Sequence, residues 1–285
     1  GGFFDMAGTL YVCPTPIGNL EDITFRVINT LKDVDMIAAE DTRHTLKLLN
    51  HFDIHKPMTS YHEHNKIEKA EKLVEKLLDG VNIAIVTDAG TPAISDPGEE
   101  LVRQAVAAGI TVTSLPGACA CITALTMSAL PTRRFAFEAF LPADRKERRQ
   151  VIARLKTEIR TTVIYEAPHH LLKTLKELYA ELGNRQLTLC REITKKHEEC
   201  IYTDIEGAIS LYENEPPRGE YVLVLGGCDE EKLLSDSREE FLAMPVNEHM
   251  RIYTDKGVDR KEAMKLVAKD RGVSKRDIYN ELLKD

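Results

Sequence analysis

The chain has 285 residues, of which 43% are hydrophobic and 29% charged, and its formal net charge is −8. This is the composition of an ordinary globular protein with room for two domains, and the negative charge argues against a protein that coats nucleic acid by charge alone. No apolar run approaches the roughly 20 residues of a membrane-spanning helix, and no signal-peptide pattern opens the chain, so we expect a cytoplasmic protein. We ascribe no function to the leading GGFFD.

The first half of the chain alternates short apolar runs with helical patterns. The runs TLYVC, DMIAAE, NIAIVT and TVTSLP predict strands at 9–13, 35–40, 82–87 and 111–116. Between them, IEKAEKLVEKLLDG and GEELVRQAVAAG have helical spacing and stop at Gly80 and Gly109. This alternation predicts a largely parallel sheet covered on both faces, with ligands at the carboxyl ends of its strands.

A second α/β unit follows a pause in the pattern near residue 133. Its predicted strands are FAFEAFLP, TTVIYEAP, QLTLCREIT, EECIYTDI and EYVLVLGG, and its clearest helix is LLKTLKELYAELG, which ends at Gly183. Some of these strands should pair antiparallel, because CREITKKHEECIY has the pattern of two strands with a short connection.

The chain changes character after Gly227. The acidic stretch DEEKLLSDSREEF predicts a linker or a short helix, and the remainder predicts two or three short helices with stops at Gly257 and Gly272 and an N-cap at Ser274. With its many basic residues this end is either a helix-turn-helix-like unit that binds RNA or a packing appendage. We therefore expect an N-terminal α/β domain at 8–132, a second α/β domain at 133–228 and a helical unit at 229–285.

Three strand-end loops of the first half have the same character. They are CPTPIGNLEDIT at 13–24, VTDAGTPAISDPG at 86–98 and LPGACACITAL at 115–125. Glycine lets a ligand approach the backbone closely and proline holds a turn in shape, so the three loops together predict a pocket walled mostly by main chain. Neither GxxxxGK[ST] nor a GxGxxG after the first strand is present, which argues against a P-loop or a dinucleotide site.

Charged and polar residues cluster at other strand ends. Glu40, Asp41 and Arg43 follow the second strand, where they could orient a hydroxyl or contact a phosphate; the rival interpretation is helix capping by Asp41 or Thr42. In the second unit the candidate functional residues are Glu166, His169, Arg191, Glu192 and Lys195, and the lysine and arginine among them would suit an anionic substrate backbone.

Two further patterns leave alternatives open. The basic stretch DRKERRQVIARLKTEIR at 144–160 could meet an anionic partner or could be a solvated helix face. The six cysteines include no CxxC, and the histidines at 51, 55, 62 and 64 are not accompanied by HExxH or a comparable ligand set, so we predict no metal site.

Seven motifs in fixed order carry a family resemblance: PTPIGNLEDIT, AEDTRHT, SYHEHN, TDAGTPAISDPG, YEAPHH, REITKKHEE and GEYVLVLGG. With them the chain resembles the ribosomal RNA small-subunit methyltransferase I family, the cytidine-2′-O-methyltransferase branch of the tetrapyrrole methylase superfamily. The resemblance covers Thr9 to Gly227 and extends to a helical C-terminal appendage.

The resemblance implies two α/β domains with S-adenosyl-L-methionine in the cleft between them, usually in a homodimer. It implies methylation of a cytidine ribose 2′-hydroxyl in small-subunit (16S) ribosomal RNA, and we expect the assembled small subunit to be the substrate. The residues that it assigns to the cofactor are Pro16, Gly18, Asp88, Gly90, Thr91, Pro92, Ile94, Pro116, Gly117, Ala118, Cys119, Tyr165, Glu166 and Ala167. Asp88 and Asp96 are equally suited to hold amides of their own loop.

The sequence departs from the family pattern at four positions. Cys119 replaces a frequent serine, and Ala129, Ala167 and His170 replace the more typical glycine, serine and arginine. Most of these exchanges are between small residues, so we expect the cofactor to bind; the exchange at His170 removes an expected phosphate contact.

The acceptor hydroxyl is a weak acid, so a nearby base should assist methyl transfer. We assign this role to Glu40 or Asp41, and the placing of phosphates to Arg43 and Lys195. Two other readings stay open: a methyltransferase of the same superfamily acting on a tetrapyrrole or another non-RNA substrate, and a non-catalytic RNA-binding assembly factor.

Overall fold

The computed structural model describes residues 7–283, which form two five-stranded sheets followed by a group of C-terminal helices. The leading GGFFD and the last two residues of the predicted helical unit lie outside the described residues. The predicted α/β fold is confirmed, and the domain limits given above remain a proposal.

The first sheet is parallel in every pair, with the strand order β3-β2-β4-β1-β5. Its strands are β1 (Thr9–Val12), β2 (Met36–Ala39), β3 (Met58–Ser60), β4 (Ile83–Val86) and β5 (Thr111–Ser114). The helices that connect or follow them are α1 (Phe25–Asp33), α2 (Thr42–His51), α3 (Lys66–Leu78) and α4 (Gly98–Ala107).

Both faces of this sheet are covered, which explains its continuous apolar strands. Ile83 and Ile85 of β4 pack in a cluster with α3 and α4, whereas Ala84 and Val86 pack on the other face with α1 and α2. Because every strand pair in this sheet is parallel, all strand carboxyl ends lie at one edge, where the unusual loops begin.

The second sheet is mixed, with the order β6-β7-β10-β8-β9; only β6 and β7 are parallel. Its strands are β6 (Phe135–Phe140), β7 (Thr161–Glu166), β8 (Gln186–Arg191), β9 (Glu199–Asp204) and β10 (Tyr221–Leu225). The antiparallel β8–β9 pair is the one predicted from the sequence. Helices α6 (Arg145–Leu155), α7 (Pro168–Leu182) and α8 (Ile205–Asn214) cover one face.

Helix α5 (Ala120–Met127) connects the two halves of the molecule. It follows the last strand of the first sheet, yet Cys121, Ala124 and Leu125 pack on the second sheet against Val163 and Val222. The loop before α5 is thereby held between the sheets. The turn after α5 contains Ala129 with φ of +58°, a left-handed conformation that the glycine typical of the family adopts at lower cost.

The C-terminal helices form a small unit with its own apolar cluster. The predicted linker or short helix is the 14-residue helix α9, Ser274 caps α12 with a capping box, and Gly272 ends α11 with a left-handed backbone. Within residues 7–283, none of the helices is both long and apolar enough to cross a membrane. The helices of the unit are α9 (Glu230–Ala243), α10 (Val246–Thr254), α11 (Arg260–Arg271) and α12 (Lys275–Leu282).

Candidate functional site

The three predicted loops are hydrogen-bonded to one another. The amides of Thr15 and Gly90 each donate to the other's carbonyl oxygen at 3.0 Å, and the hydroxyl of Thr15 donates to Thr87 O at 3.1 Å. The hydroxyl of Thr91 donates to Ala118 O at 2.8 Å. The loops after β1, β4 and β5 therefore form one continuous wall.

Gly90 lies at the centre of this wall with φ of +83°, in the region where glycine is strongly favoured. A Cβ there would come within 3.2 Å of Ile17 Cγ2 and 3.5 Å of Ala118 O. The following turn is held by Asp96, whose Oδ1 accepts from the amides of Ala93 and Gly98 at 2.9 and 2.8 Å. Asp96 thus holds its own loop, as the sequence suggested, and burial raises its pKa.

A first cavity of about 530 Å³ lies between this wall and the second sheet. Three carboxylates line it, those of Asp96, Glu166 and Glu220, and none of its lining residues is lysine, arginine or histidine. The rest of the lining is small or apolar. It comes from the loops (Ile17, Gly90, Thr91, Ile94, Cys119, Ala120) and from the second sheet and its loops (Ala139, Phe140, Tyr165, Ala167, Ile193, Val222).

Glu166 is the most constrained of the three carboxylates, with 6% of its surface exposed. It accepts from the amide of Ala167 at 2.8 Å and from the hydroxyl of Thr174 at 2.5 Å. Thr174 in turn accepts from Arg148 at 2.6 Å, and Arg148 also pairs with Glu177 at 2.6 Å. Helices α6 and α7 are thereby tied to the cavity wall.

Tyr165 fixes the opposite side of the first cavity. Its hydroxyl accepts from the amide of Cys121 at 2.9 Å, at the start of α5, and burial raises its pKa. The ring lies edge-on to Phe140, with ring centroids 5.7 Å apart. The hydrogen bond joins the second sheet to the helix that follows the third loop.

These features fit S-adenosylmethionine. The cavity volume is in the range of small-molecule sites, and Gly90 provides a close approach to main chain that a Cβ would obstruct. A lining with three carboxylates and no basic side chain favours a sulfonium cation and disfavours a cofactor with phosphate groups. Gly90, Thr91, Ile94 and Cys119 would hold it from one side, and Tyr165, Glu166 and Ala167 from the other.

A second cavity, of about 480 Å³, adjoins the first, and Ile17, Thr87, Ala89 and Glu220 line both. Unlike the first cavity, it has basic residues in its lining. The basic or titratable side chains are His44, Lys47, His51 and Lys195, beside Asn19 and Asp88. Its two lysines can contact an anionic substrate, whereas the lining of its neighbour has no basic side chain.

Lys195 enters the second cavity from the loop after β8. Its ammonium group lies 2.8 Å from Glu220 and 3.2 Å from Glu192. Partial burial disfavours its charge, but the two carboxylates outweigh this and raise the pKa of Lys195. Gly18 makes room for it, because a Cβ at Gly18 would lie 2.5 Å from Lys195 Cγ.

Asp88 lies on the partition between the cavities and faces the second. Its Oδ1 accepts from the amide of Asp41 at 3.3 Å, and His44 Nε2 lies 3.1 Å from its carbonyl oxygen. Burial and then the charge of Glu40 raise the pKa of Asp88. A carboxylate with a raised pKa beside a cavity is a better proton acceptor than an ordinary aspartate.

Glu40, Asp41 and Arg43 line neither large cavity. Asp41 caps α2 by accepting from the amides of Arg43 and His44, and these bonds lower its pKa. Glu40 accepts from the hydroxyl of Thr87 at 2.9 Å, and the Arg43 side chain is 92% exposed. The geometry therefore favours the capping interpretation of Asp41, and the catalytic assignments stay predictions.

The predicted cofactor residues are not all in one place. Gly90, Thr91, Ile94, Cys119, Tyr165, Glu166 and Ala167 line the first cavity, whereas Pro16, Gly18 and Asp88 line the second. Pro92 borders a narrow cleft beside Glu40. Pro116, Gly117 and Ala118 border no cavity that we describe, and Gly117 packs against Pro14.

Several lining residues were not among the sequence candidates. Phe140 and Glu220 are the clearest, and each adjoins a predicted strand at the edge that carries the loops. In the sequence, Phe140 could have been noticed as an aromatic residue at the carboxyl end of a predicted strand. Glu220 precedes an antiparallel strand, so a rule that inspects only carboxyl ends misses it.

Comparison with known proteins agrees with this geometry. The sequence model of the family described as Tetrapyrrole (Corrin/Porphyrin) Methylases matches residues 9–208. The chain is 50% identical over 276 residues to ribosomal RNA small subunit methyltransferase I of Halalkalibacterium halodurans, covering 97% of this chain and 95% of that protein. It is 46% identical to the protein of that name from Bacillus subtilis, covering 96% and 93%.

Among solved structures, the fold is similar to uroporphyrin-III C-methyltransferase from Thermus thermophilus complexed with S-adenyl homocysteine. The TM-score is 0.52 at 19% identity, covering 77% of this chain and 97% of that chain. At this identity the likeness supports the fold alone.

Proposed function

The chain belongs to the tetrapyrrole methylase family and, within it, to ribosomal RNA small subunit methyltransferase I, and we propose that it methylates the ribose 2′-hydroxyl of a cytidine in small-subunit (16S) ribosomal RNA with S-adenosylmethionine as donor. The ribosomal substrate rests on the names of relatives that match nearly the full chain. The cytidine and its 2′-oxygen rest on the family resemblance of the sequence motifs.

The observation that carries the proposal is the contrast between two adjoining cavities. One is lined by carboxylates without a basic side chain, and the other contains lysine and histidine side chains beside the carboxylates of Asp88 and Glu220. A cationic donor would be attracted to the first cavity, and the second cavity offers lysine ammonium groups that can contact the phosphates of a nucleotide. Thr87 and Ala89, which line both cavities, mark where the two adjoin, and there the acceptor oxygen would meet the methyl group of the donor.

S-adenosylmethionine, when bound, supplies an electrophilic methyl group. The chain must position the acceptor oxygen and receive its proton, and most of the rate enhancement can come from positioning. Asp88 receives the proton at the carboxylate oxygen that does not accept the Asp41 amide. Lys195 neutralises a phosphate of the acceptor nucleotide, and Glu40 supports Asp88 through Thr87 and through its charge.

The proposal also includes the state of the substrate, the oligomeric state of the protein and a further contact with RNA. The substrate is the assembled small subunit, because one nucleotide must be presented in a fixed shape. The protein acts in the cytoplasm as a homodimer, and Arg43, whose guanidinium is exposed, contacts RNA outside the cavity.

The deciding experiment maps 2′-O-methylation of small-subunit RNA from cells with and without the gene. Loss of one modified cytidine, restored by the wild-type gene and by no Asp88→Asn variant, supports the proposal. An unchanged methylation pattern contradicts it and leaves a tetrapyrrole or another non-RNA acceptor. Calorimetry with S-adenosylmethionine tests the non-catalytic alternative, which expects no binding.

A further inference from the structure

An exposed aromatic ring stands beside the first cavity. Phe140, the last residue of β6, borders the cavity, yet 61% of its surface is exposed. Its contact with Tyr165 is edge-on, at an interplanar angle of 70°. Leaving a phenylalanine this open costs burial energy, so a binding partner that covers the ring would recover it.

Helix α6 begins five residues after Phe140 and carries the basic stretch singled out in the sequence. Arg145, Lys146 and Arg149 are exposed, and their side chains make no hydrogen bond or ion pair within residues 7–283. The acidic Asp144 and Glu147 lie in the same turn, where Asp144 caps the helix. Arginines 145 and 149 are four positions apart and share one helix face. Three unpaired cations thus follow the exposed ring along the chain.

Arg148 differs from its neighbours because it turns inward. Its side chain is 15% exposed and binds Glu177 and Thr174, and Thr174 donates to Glu166 in the wall of the first cavity. This network fixes α6 against α7 and against the cavity, so the exposed cations keep a set position relative to Phe140. A basic helix held by this network and following an exposed ring in the chain differs from an ordinary solvated helix face.

We propose that Phe140, Arg145, Lys146 and Arg149 form a docking surface for single-stranded RNA. A base of the substrate strand stacks on Phe140, and the three cations contact phosphates of the flanking nucleotides. Stacking on an aromatic ring combined with basic contacts to the backbone is the usual way in which proteins hold single strands. This inference rests on the proposed RNA substrate and adds to it the surface that holds the strand.

The test measures binding of a fluorescein-labelled single-stranded RNA by anisotropy, with the full chain and without cofactor. Omitting the cofactor separates base stacking on Phe140 from any contact of the ring with the donor. The triple variant R145A/K146A/R149A should reduce the slope of log K against log salt by about 2, because each phosphate contact to a single strand contributes about 0.7. The matched variant K32A/K72A/K76A removes three exposed lysines elsewhere and should keep the wild-type slope.

Phe140→Ala should weaken RNA binding roughly tenfold without changing the salt slope, and Phe140→Trp should restore the affinity. Wild-type protein that binds RNA, with both variants binding equally well, overturns the docking surface and leaves the proposed methylation standing. A triple variant that keeps RNA affinity but loses binding to polyglutamate also overturns it and assigns the surface to an acidic protein. Because no methyl transfer is measured, failure of the proposed reaction would not alter these results.

Discussion

The hydroxyl of Thr91 donates a hydrogen bond of 2.8 Å to the carbonyl oxygen of Ala118, and this bond joins the loop after β4 to the loop before α5. Thr91→Val keeps the shape of the side chain and removes the donor. We expect the affinity for S-adenosylmethionine to fall about five- to tenfold, because the variant loses the hydrogen bond that holds the two loops of the cavity wall together. Calorimetric titration measures this; Thr126→Val on the exposed face of α5 is the control, and equal affinity in both variants would contradict the role of the bond.

Gly90→Ala should impair both folding and cofactor binding. Its φ of +83° costs an L-residue on the order of 1–2 kcal/mol, and the new Cβ would press on Ile17. Gly257→Ala is the matched control, because Gly257 has φ of +85° with no atom within 4 Å of a Cβ. Both variants should lose similar thermal stability, but only Gly90→Ala should lose affinity for the donor. Equal affinity of the two variants for the donor would show that glycine is required at position 90 only for the conformation of the turn.

Asp88→Asn should lower kcat about a hundredfold and leave the affinity for the donor within a few-fold of wild type. If Asp88 is the base, its deprotonated carboxylate is the active form. Because its pKa is raised, activity should then fall as the pH drops through a value above that of an ordinary aspartate. The asparagine variant should lose this acidic limb. The measurement is a pH–rate profile under single-turnover conditions. An acidic limb that is unchanged in the asparagine variant would show that Asp88 is not the base.

Asp41→Ala and Glu40→Ala provide the comparison for Asp88. Asp41→Ala removes the N-cap of α2 and should lower the melting temperature with a modest loss of turnover. If either variant lost as much kcat as Asp88→Asn while binding donor and RNA normally, the original assignment of the base to that residue would be preferred.

Lys195→Met should raise KM for RNA five- to tenfold with a smaller effect on kcat, since the ammonium group lies in the second cavity, where we propose that the acceptor binds. Lys196→Met is an internal control, because Lys196 is exposed and borders neither cavity. Steady-state kinetics at fixed donor concentration distinguish the two. A similar KM for both variants would remove Lys195 from substrate binding.

Arg148→Met should lower the free energy of unfolding by about 2 kcal/mol, because Glu177 and the buried Thr174 lose a partner. Arg149→Met removes the same charge from the solvent side and should leave the stability unchanged. Urea denaturation followed by circular dichroism gives both values. Equal stability of the two variants would mean that the network does not hold α6.

The type and order of most elements could be predicted from the sequence because period and stop signals agree with burial. Ile83 to Val86 are buried on both faces of a sheet and therefore form an unbroken apolar run, and Ser274 has the spacing of a capping box. Strand β3 escaped prediction because its three residues, Met58 to Ser60, are only half-buried or exposed at the sheet edge.

The division of the site into two cavities could not be predicted. Ile17 faces both cavities while its neighbours Pro16 and Gly18 face one, and that difference depends on where the loop after β8 approaches. Contacts between residues distant in sequence, such as Lys195 against Gly18, leave no periodic signal. The sequence therefore indicates which loops form the site but not which of the two cavities each loop residue lines.

The arrangement of two adjoining cavities also bears on how the donor and the acceptor bind and how the products are released. If the donor enters the first cavity and the acceptor enters the second, the two meet only where the cavities adjoin, and neither has to pass through the space of the other. The two reactants should then bind in random order. S-adenosylhomocysteine left after transfer would then compete with fresh donor but not with RNA. A methylated strand could depart while the spent donor still occupies its own cavity, and the next round would wait on whichever leaves last.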